Sequence, residues 1–292
     1  MITIETIKEL TAKLEIPAFG IAPWPLPKDA KDFIHTDNPC PFINGTLEER
    51  LCGNTNIAAQ SAIVCLFPYY MGKESSNLPK YAWAKDYHLV VNDYLQRLGQ
   101  ALQDLDDTVA FEVHCDTSPL ADRYMAYIAG LGVFGKNRSL INPTWGSYTS
   151  IGTLLTNIPL EPATPLSGTC LGCNRCIKAC PGQSLGQKEF RYETCKSYLT
   201  QKKGILTSDE ESIIQKTPLI WGCDVCQDVC PHNQQVPLTP IKEFQAIEPM
   251  LAKESLASLS NREFKAAHGH RAFAWRGKAT LLRNFDIIEK KT

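Results

Sequence analysis

The chain has 292 residues, of which 43% are hydrophobic and 21% charged, and its formal net charge is −1. This length is enough for one large core or two modest ones, and the composition is that of an ordinary globular protein. The near-zero charge excludes a polycation that holds nucleic acid over its whole surface, so any such binding must come from a local patch.

The N-terminus predicts a short amphipathic helix rather than a targeting segment. Ile4, Ile7, Leu10 and Leu14 recur at helical spacing on one face. Residues 1–20 lack the basic start, long apolar run and small-residue cleavage site of a secretory signal. No window approaches the roughly 18 apolar residues of a membrane span, so we expect a cytoplasmic protein with no membrane partner.

Residues 1–165 predict an α/β region. Strands are expected where apolar or β-prone residues run together, and helices where apolar residues recur every three or four positions. The predicted strands are 61–70, 108–120 and 148–160, and the predicted helices are 82–105 and 121–132. The second strand ends at Asp116, and Pro and small residues over 161–168 mark a domain boundary.

Residues 166–235 carry most of the cysteines between short helical pieces, and residues 236–292 predict a helical tail. The end of this tail is basic. Its lysines and arginines are at positions 262, 265, 271, 276, 278, 283, 290 and 291, and its acids at 263, 286 and 289. Such a patch can neutralise phosphates, and an ordinary solvated helix face is an equally good interpretation.

Twelve cysteines in a cytoplasmic chain indicate metal ligands more than disulfides. Four are scattered, and we expect these to be buried small hydrophobes. They are Cys40, Cys52, Cys65 and Cys115. The other eight all lie between positions 170 and 230.

The eight clustered cysteines follow the spacing of bacterial ferredoxins. Cys170, Cys173, Cys176 and Cys180 form C-x2-C-x2-C-x3-C-P, and Cys223, Cys226 and Cys230 form C-x2-C-x3-C-P after Cys195. In two-cluster ferredoxins the fourth cysteine of such a run ligates the other cluster. The first [4Fe–4S] cluster is therefore predicted at Cys170, Cys173, Cys176 and Cys230, and the second at Cys180, Cys195, Cys223 and Cys226.

A pair of structural zinc sites is the alternative for these cysteines. Zinc sites typically use two C-x2-C knuckles some way apart. That pattern gives no reason for a third cysteine followed by x3-Cys-Pro, so the spacing favours the two clusters.

The segment GLGVFGKN at 130–137 matches G-x-G-x-x-G through its three glycines and nearly matches a P-loop. A dinucleotide fingerprint follows a strand and opens a helix, and a P-loop needs a hydroxyl for magnesium. Here a predicted helix ends just before the motif, and Asn137 stands where the hydroxyl is needed. We therefore predict a close-approach loop that presents Lys136 and Asn137 to a ligand, and no nucleotide site.

Together these motifs resemble the signatures of one enzyme family, the epoxyqueuosine reductases. The similar segments are HCDTSPLADRYMAYIAGLGVFGKN with its continuation to 152, YAWAKDYH at 81–88, CKSYLTQ at 195–201 and WGCDVCQDVCPHN at 221–233. They occur in the family's order, and the resemblance runs from about residue 15 to about 285. The chain departs from the usual family residues at Ala84, Asp122, Gln201 and His232.

The resemblance implies a fold and a reaction. It implies an α+β protein, with a cobalamin-binding α/β reductase domain at 1–165, a ferredoxin-like domain with two [4Fe–4S] clusters at 166–235 and a helical tail at 236–292. The implied reaction reduces epoxyqueuosine to queuosine at the wobble position of a tRNA anticodon, the last step of queuosine biosynthesis. Electrons would pass from an external flavodoxin or ferredoxin through the clusters to cobalamin.

The resemblance also assigns roles to single residues. Asp116 corresponds to the family's proton donor, whereas the residues alone favour a helix cap at Asp116-Thr117-Ser118-Pro119. Contacts to cobalamin or substrate are expected at Tyr81, Asp86, His88, Asp116, Lys136 and Asn137. A lone helical histidine such as His88 is more often structural.

Many members of the family continue into C-terminal HEAT-type repeats that help to hold tRNA. The present sequence ends near the point where those repeats begin, so we expect a short form. Two other functions remain open from the sequence: a reductive dehalogenase-like cobalamin enzyme acting on a small molecule, and a ferredoxin-like electron carrier. The carrier would need neither Asp116 nor a cobalamin site.

Overall fold

The structure is a computed structural model that describes residues 2–33, 40–52, 55–186 and 190–290, without the side chain of Cys52. The chain divides into two compact units. The first unit comprises Met1–Pro68 and His88–Cys170, and the second comprises Tyr69–Tyr87 and Leu171–Thr292. The fold is α+β, as expected.

The first unit is built on a four-stranded sheet in the order β1-β2-β6-β3, in which every pair is antiparallel. A separate two-stranded hairpin joins β4 to β5. In chain order its elements are α1 Ile4–Lys13, β1 Ala18–Pro23, α2 Leu47–Cys52, β2 Ser61–Pro68, α3 Tyr87–Leu105, β3 Phe111–His114, α4 Asp122–Ile128, β4 Val133–Phe134, β5 Leu140–Ile141 and β6 Thr149–Thr156.

The apolar run at 61–70 forms β2, which is buried along its whole length. On one face Val64 packs in the same cluster as Met125 of α4. On the other face a side chain on Gly152 of β6 would collide with Val91 and Leu95 of α3. Because helices cover both faces of the sheet, β2 is apolar at consecutive positions rather than at alternate ones.

Helix α3 begins at Tyr87 and not at residue 82, where the sequence predicts its start. Residues Lys80–Ala82 form a 3-10 turn instead. The backbone N–H of Asp86 donates to the carbonyl of His270 at 2.8 Å. This bond holds the residues before Tyr87 within the second unit. Helix α3 therefore begins only at the point where the chain passes into the first unit.

The second unit contains seven short helices in its described residues and no strand there. They are α5 Arg175–Ala179, α6 Lys196–Leu199, α7 Ser208–Ile214, α8 Val225–Asp228, α9 Lys253–Ser258, α10 Asn261–His268 and α11 Lys278–Glu289. Its main core gathers Trp83, Trp221, Phe273 and Leu281, all at most 1% exposed. None of the helices in the described ranges has the length and apolarity to cross a membrane.

The units differ from the predicted division at 165 and 235, because residues 69–87 group with the second unit and residue 235 lies within it. Asn77 shows the physical reason. Its side chain donates to the carbonyl of Leu251 at 2.8 Å and accepts from the N–H of the same residue at 2.9 Å. Its carbonyl accepts from the N–H of Ile220 at 2.8 Å.

The predicted basic patch of the tail is smaller in the structure than in the sequence, because Arg271 is 3% exposed. Its guanidinium donates to the carbonyls of Ala82 and Trp83, both at 2.8 Å, and pairs with the carboxylate of Glu248. Arg283 likewise donates to backbone carbonyls, including that of Lys202 at 2.6 Å. These guanidinium groups stabilise the fold and are not available to phosphates.

Replacing Arg271 should therefore destabilise the second unit. Arg271→Met leaves two buried carbonyls without their donor, and each such loss costs about 1–3 kcal/mol. We expect the free energy of unfolding, measured by urea denaturation, to fall by about 2–4 kcal/mol. The exposed Arg262→Met on α10 is the matched control and should change it by less than about 0.5 kcal/mol. Equal effects of the two variants would contradict a structural role for Arg271.

Candidate active site and cluster ligands

Asp116 lies in a strained turn directly after β3. Its φ angle is +57°, in the left-handed region that costs an ordinary residue about 1–2 kcal/mol. The turn is tight, since the N–H of Thr117 donates to the carbonyl of Cys115 at 2.6 Å. Asn44 also holds it, by donating from its side chain to the carbonyl of Thr117 at 2.6 Å. Strain of this kind concentrates at functional sites.

The helix-cap interpretation of Asp116 is wrong. Helix α4 begins at Asp122, its N-cap is Ala121, and no side chain caps it. Asp116 instead keeps 60% of its side chain exposed and lies 3.3 Å from His88, measured from Oδ2 to Nε2. His88 is the second residue of α3, so the structure brings two of the predicted site residues together.

A second carboxyl group, which the sequence analysis names only as a departure from the usual family residue, is that of Asp122. Asp122 opens α4, and its Oδ1 is buried with no hydrogen-bond partner among the described residues. Burial, and after it the nearby Asp116 charge, raise the pKa of Asp122 to about 7 against the opposing effects of Arg50 and Arg123. Only the folded chain reveals this, because burial depends on tertiary packing.

The glycine motif is a close-approach loop, as the sequence predicts. A side chain on Gly132 would lie 2.6 Å from the carbonyl oxygen of Ile141, and one on Gly130 would lie 2.8 Å from that of Thr164. The motif follows helix α4 and contains strand β4, the reverse of the strand-to-helix order of a dinucleotide site.

Lys136 and Asn137 occupy the turn of the β4–β5 hairpin. Lys136 is exposed, whereas Asn137 is 7% exposed and its Oδ1 accepts from the N–H of Ser139 at 3.2 Å. Its Nδ2 is buried without a hydrogen-bond partner in the described structure. A buried amide donor of this kind suits an acceptor on a bound group, so the hairpin fits a polar cofactor such as cobalamin.

The remaining predicted cofactor contacts belong to the second unit. The ring of Tyr81 meets that of Tyr87 edge to face, with 6.1 Å between centroids. The backbone N–H of Asp86 donates to the carbonyl of His270. Thus Tyr81 and Asp86 are carried by the second unit, and His88, Asp116, Lys136 and Asn137 by the first.

The structure gathers the four cysteines predicted for the second cluster. Burial raises the pKa of the Cys226 thiol well above its ordinary value, and the charges of Cys223, Cys195 and Cys180 raise it further. Cys180 is buried and the other three cysteines are half-buried. Thiols gathered in this way suit a metal cluster, because metal coordination deprotonates thiols. The four thiols are spaced too widely to bind a single metal ion. Among the described residues, no three Cys, His, Asp or Glu side chains lie close enough together to form such a site.

Short helices place the cysteines in two similar settings. Cys176 lies on α5 and Cys226 on α8. Each helix is followed by an extended cysteine, with φ −60° and ψ 118° at Cys180 and φ −74° and ψ 126° at Cys230. The thiol of Cys180 also accepts from the N–H of Ser184 at 3.3 Å. Of the predicted first-cluster ligands, Cys173, Cys176 and Cys230 belong to the second unit, and Cys170 ends the first.

A buried lysine follows Cys195, and no pattern in the sequence predicts its burial. Lys196 is 1% exposed, and its Nζ donates to the carbonyls of Ile214 at 2.5 Å and Thr217 at 2.9 Å. Burial lowers the pKa of Lys196 to about 7, and the nearby Cys223 opposes that shift. Through these two bonds Lys196 links α6 to the C-terminal end of α7, near the thiol of Cys223.

Comparison with known proteins identifies the family. Residues 169–233 match the family model of a 4Fe-4S double cluster binding domain, and residues 55–117 match that of epoxyqueuosine reductase QueG. The epoxyqueuosine reductase of Leadbetterella byssophila is 36% identical over 237 residues, which are 80% of this chain and 78% of that protein. The one from Lactococcus garvieae is 30% identical over 88% of this chain and 75% of its own.

The chain belongs to the epoxyqueuosine reductase family. This confirms the resemblance found in the sequence, and the double cluster domain overturns the zinc alternative. The epoxyqueuosine reductase of Listeria monocytogenes is 39% identical over 211 residues, covering 71% of this chain but 55% of that protein. The chain therefore spans about half the length of several curated relatives it matches.

Solved epoxyqueuosine reductases share the fold. One, in complex with an epoxyqueuosine-modified stem loop of tRNA-Tyr, superposes with a TM-score of 0.86 at 27% identity, over 97% of this chain and 80% of that one. A Bacillus subtilis structure, with its catalytic aspartate loop swung out of the active site, gives 0.84 at 26%, over 97% and 81%. A catabolic reductive dehalogenase gives 0.53 at 14%, over 98% and 35%, and shares the fold alone.

Proposed function

We propose that this chain reduces epoxyqueuosine in tRNA to queuosine, using cobalamin and two [4Fe–4S] clusters. The observation that carries the proposal is Asp116, a strained, exposed carboxyl group 3.3 Å from His88 in a chain of this family. Two relatives support it further: one is solved with an epoxyqueuosine-modified tRNA stem loop, and another with the loop of its catalytic aspartate moved.

Proton supply is the task of the protein in this reaction. Removing the oxygen of an epoxide as water consumes two electrons and two protons, and leaves a carbon–carbon double bond. When bound, cobalamin supplies low-valent cobalt, a strong nucleophile and reductant. Asp116 donates a proton to the epoxide oxygen as its first C–O bond breaks. His88 holds the Asp116 carboxyl group in place through the contact of Nε2 with Oδ2.

The other predicted residues hold the cofactors. Contacts to cobalamin or substrate come from Tyr81, Asp86, His88, Asp116, Lys136 and Asn137. The eight clustered cysteines ligate the two clusters in the crossed pattern predicted from their spacing. An external flavodoxin or ferredoxin supplies the electrons, and the enzyme works on tRNA in the cytoplasm.

Turnover of the modified tRNA tests this function. The protein, loaded with cobalamin and clusters and given a low-potential chemical reductant, should remove one oxygen atom from an epoxyqueuosine stem loop, as seen by mass spectrometry of the nucleoside. A stem loop that already carries queuosine is the control and should stay unchanged. Bound cobalamin in the visible spectrum, together with no loss of oxygen, would refute the proposal.

A further inference from the structure

Lys196 is a buried cation to which the proposed reaction gives no task. It directly follows Cys195, a predicted ligand of the second cluster, and it is 1% exposed. Its Nζ donates to the carbonyls of Ile214 and Thr217, and no carboxylate among the described residues lies within ion-pair distance of it. A buried charge without a counter-charge costs much free energy, so an anion is expected beside it.

A hydrogen bond joins the helix of Lys196 to the loop of Cys223. Thr200, which directly follows α6, accepts through its side-chain oxygen from the N–H of Gly222 at 2.9 Å. Gly222 directly precedes Cys223, another predicted ligand of the second cluster. Burial raises the pKa of the Cys223 thiol, and the charge of Lys196 opposes that shift. The ammonium group therefore lies near enough to this sulfur to attract it once it is ionised.

A second connection leads to the loop of Cys180. Lys216 lies between the two carbonyl groups that bind Lys196, and its own Nζ donates to the carbonyl of Pro181 at 2.7 Å. Pro181 directly follows Cys180. The segment that fixes the ammonium group of Lys196 is thus also bonded to the loop that carries a third predicted ligand of the second cluster.

A [4Fe–4S] cluster held by thiolates is an anion, and its one-electron reduction adds a further negative charge. We propose that the ammonium group of Lys196 is the built-in counter-ion of the second cluster and raises its reduction potential. A fixed positive charge stabilises the reduced form more than the oxidised form, because the reduced form is more negative. Lys196 keeps its proton in both states, since the electron from the external low-potential donor goes to the cluster iron. The inference rests on the proposed cysteine ligands and not on the substrate.

A role in folding alone predicts a different pattern of variants. As a hydrogen-bond donor Lys196 links α6 to α7, and a neutral side chain that donates there would serve as well. As a counter-ion it needs its charge. Lys196→Gln keeps a donor and loses the charge, Lys196→Met loses both, and Lys196→Arg keeps both.

Redox titration followed by electron paramagnetic resonance tests the charge without any tRNA. Lys196→Gln and Lys196→Met should each make one of the two clusters about tenfold harder to reduce, which is a fall of about 59 mV for a one-electron couple. Lys196→Arg should keep the wild-type potentials. Lys178→Met is the matched control, because Lys178 is an exposed lysine two positions from Cys180. Solvent and salt screen its charge, so its loss should change either reduction equilibrium by less than about twofold.

Variants that hold one cluster assign the effect. In Cys230→Ala, which should retain only the second cluster, Lys196→Gln should lower the potential as it does in the full protein. In Cys180→Ala, which should retain only the first, it should change nothing. Loss of the second cluster from the two neutral variants but not from Lys196→Arg would support the counter-ion, since charge alone separates them.

Three results would overturn the inference: unmoved potentials in the neutral variants, a shift that persists in Cys180→Ala, or loss of the second cluster from all three Lys196 variants. A shifted potential in a protein that leaves epoxyqueuosine tRNA unchanged would refute the proposed function and leave this inference intact.

Discussion

Asp116→Asn is expected to slow the removal of the epoxide oxygen by about 10²–10⁴-fold, because an amide cannot donate a proton to the leaving oxygen. Asparagine is among the residues that tolerate the left-handed region, so the φ of +57° at this position should survive the change. The loss should therefore be chemical and not structural. Single-turnover kinetics with prereduced protein measure it directly.

Two further measurements distinguish the loss of the Asp116 proton donor from a loss of cofactors or of the neighbouring contact with His88. Visible spectra and iron content of Asp116→Asn should match the wild type, which shows that cobalamin and clusters stay bound. His88→Gln should cost less, about tenfold, because it removes an orienting contact and keeps the donor. An Asp116→Asn enzyme with wild-type single-turnover rates would rule out Asp116 as the proton donor.

The second large effect concerns the crossed cysteine ligands. Cys180→Ala and Cys226→Ala should each remove the same cluster, lowering iron from about eight to about four per chain. The double variant should lose no more iron than either single variant. Cys180→Ala combined with Cys230→Ala should lose nearly all of it, since these two cysteines serve different clusters. Iron and sulfide analysis and electron paramagnetic resonance of the reduced protein report the outcome.

Cys40→Ala is the matched control for these variants, because Cys40 lies outside both motifs and is half-buried. It should retain both clusters. If Cys180→Ala and Cys226→Ala together removed all the iron, the ligands would be uncrossed, and the first motif would hold one cluster alone. Alanine is preferred to serine here because a serine oxygen can keep a cluster in place.

Local patterns predicted the central strands and helices well. The run at 61–70 became β2, the segment 148–160 became β6 at Thr149–Thr156, and the spaced apolar residues of α3 are buried. Strand β1 at Ala18–Pro23 escaped notice, because six residues with a glycine and a terminal proline carry little β signal. Its pairing with β2 stabilises it, and that contact is not local in sequence.

Other features depended on distant partners. The tail looked basic because charges were counted along the chain, and yet Arg271 is buried against carbonyls nearly 190 positions earlier. The segment 69–87 looked like part of the first domain, whereas Asn77 binds Leu251 and Ile220 in the second unit. No window of sequence contains both members of such pairs.

The sequence by itself determined the chemistry of this protein. Cysteine spacing is enough to predict two clusters, since ligands that share a loop must be close in sequence, and the ordered motifs are enough to predict the family. Only the tertiary structure decided which side chains surround Asp116. His88 arrives from another element, and Asp122 acquires its pKa of about 7 from burial and from neighbouring charges. Burial and charge proximity are properties of the folded chain, and no spacing of residues encodes them.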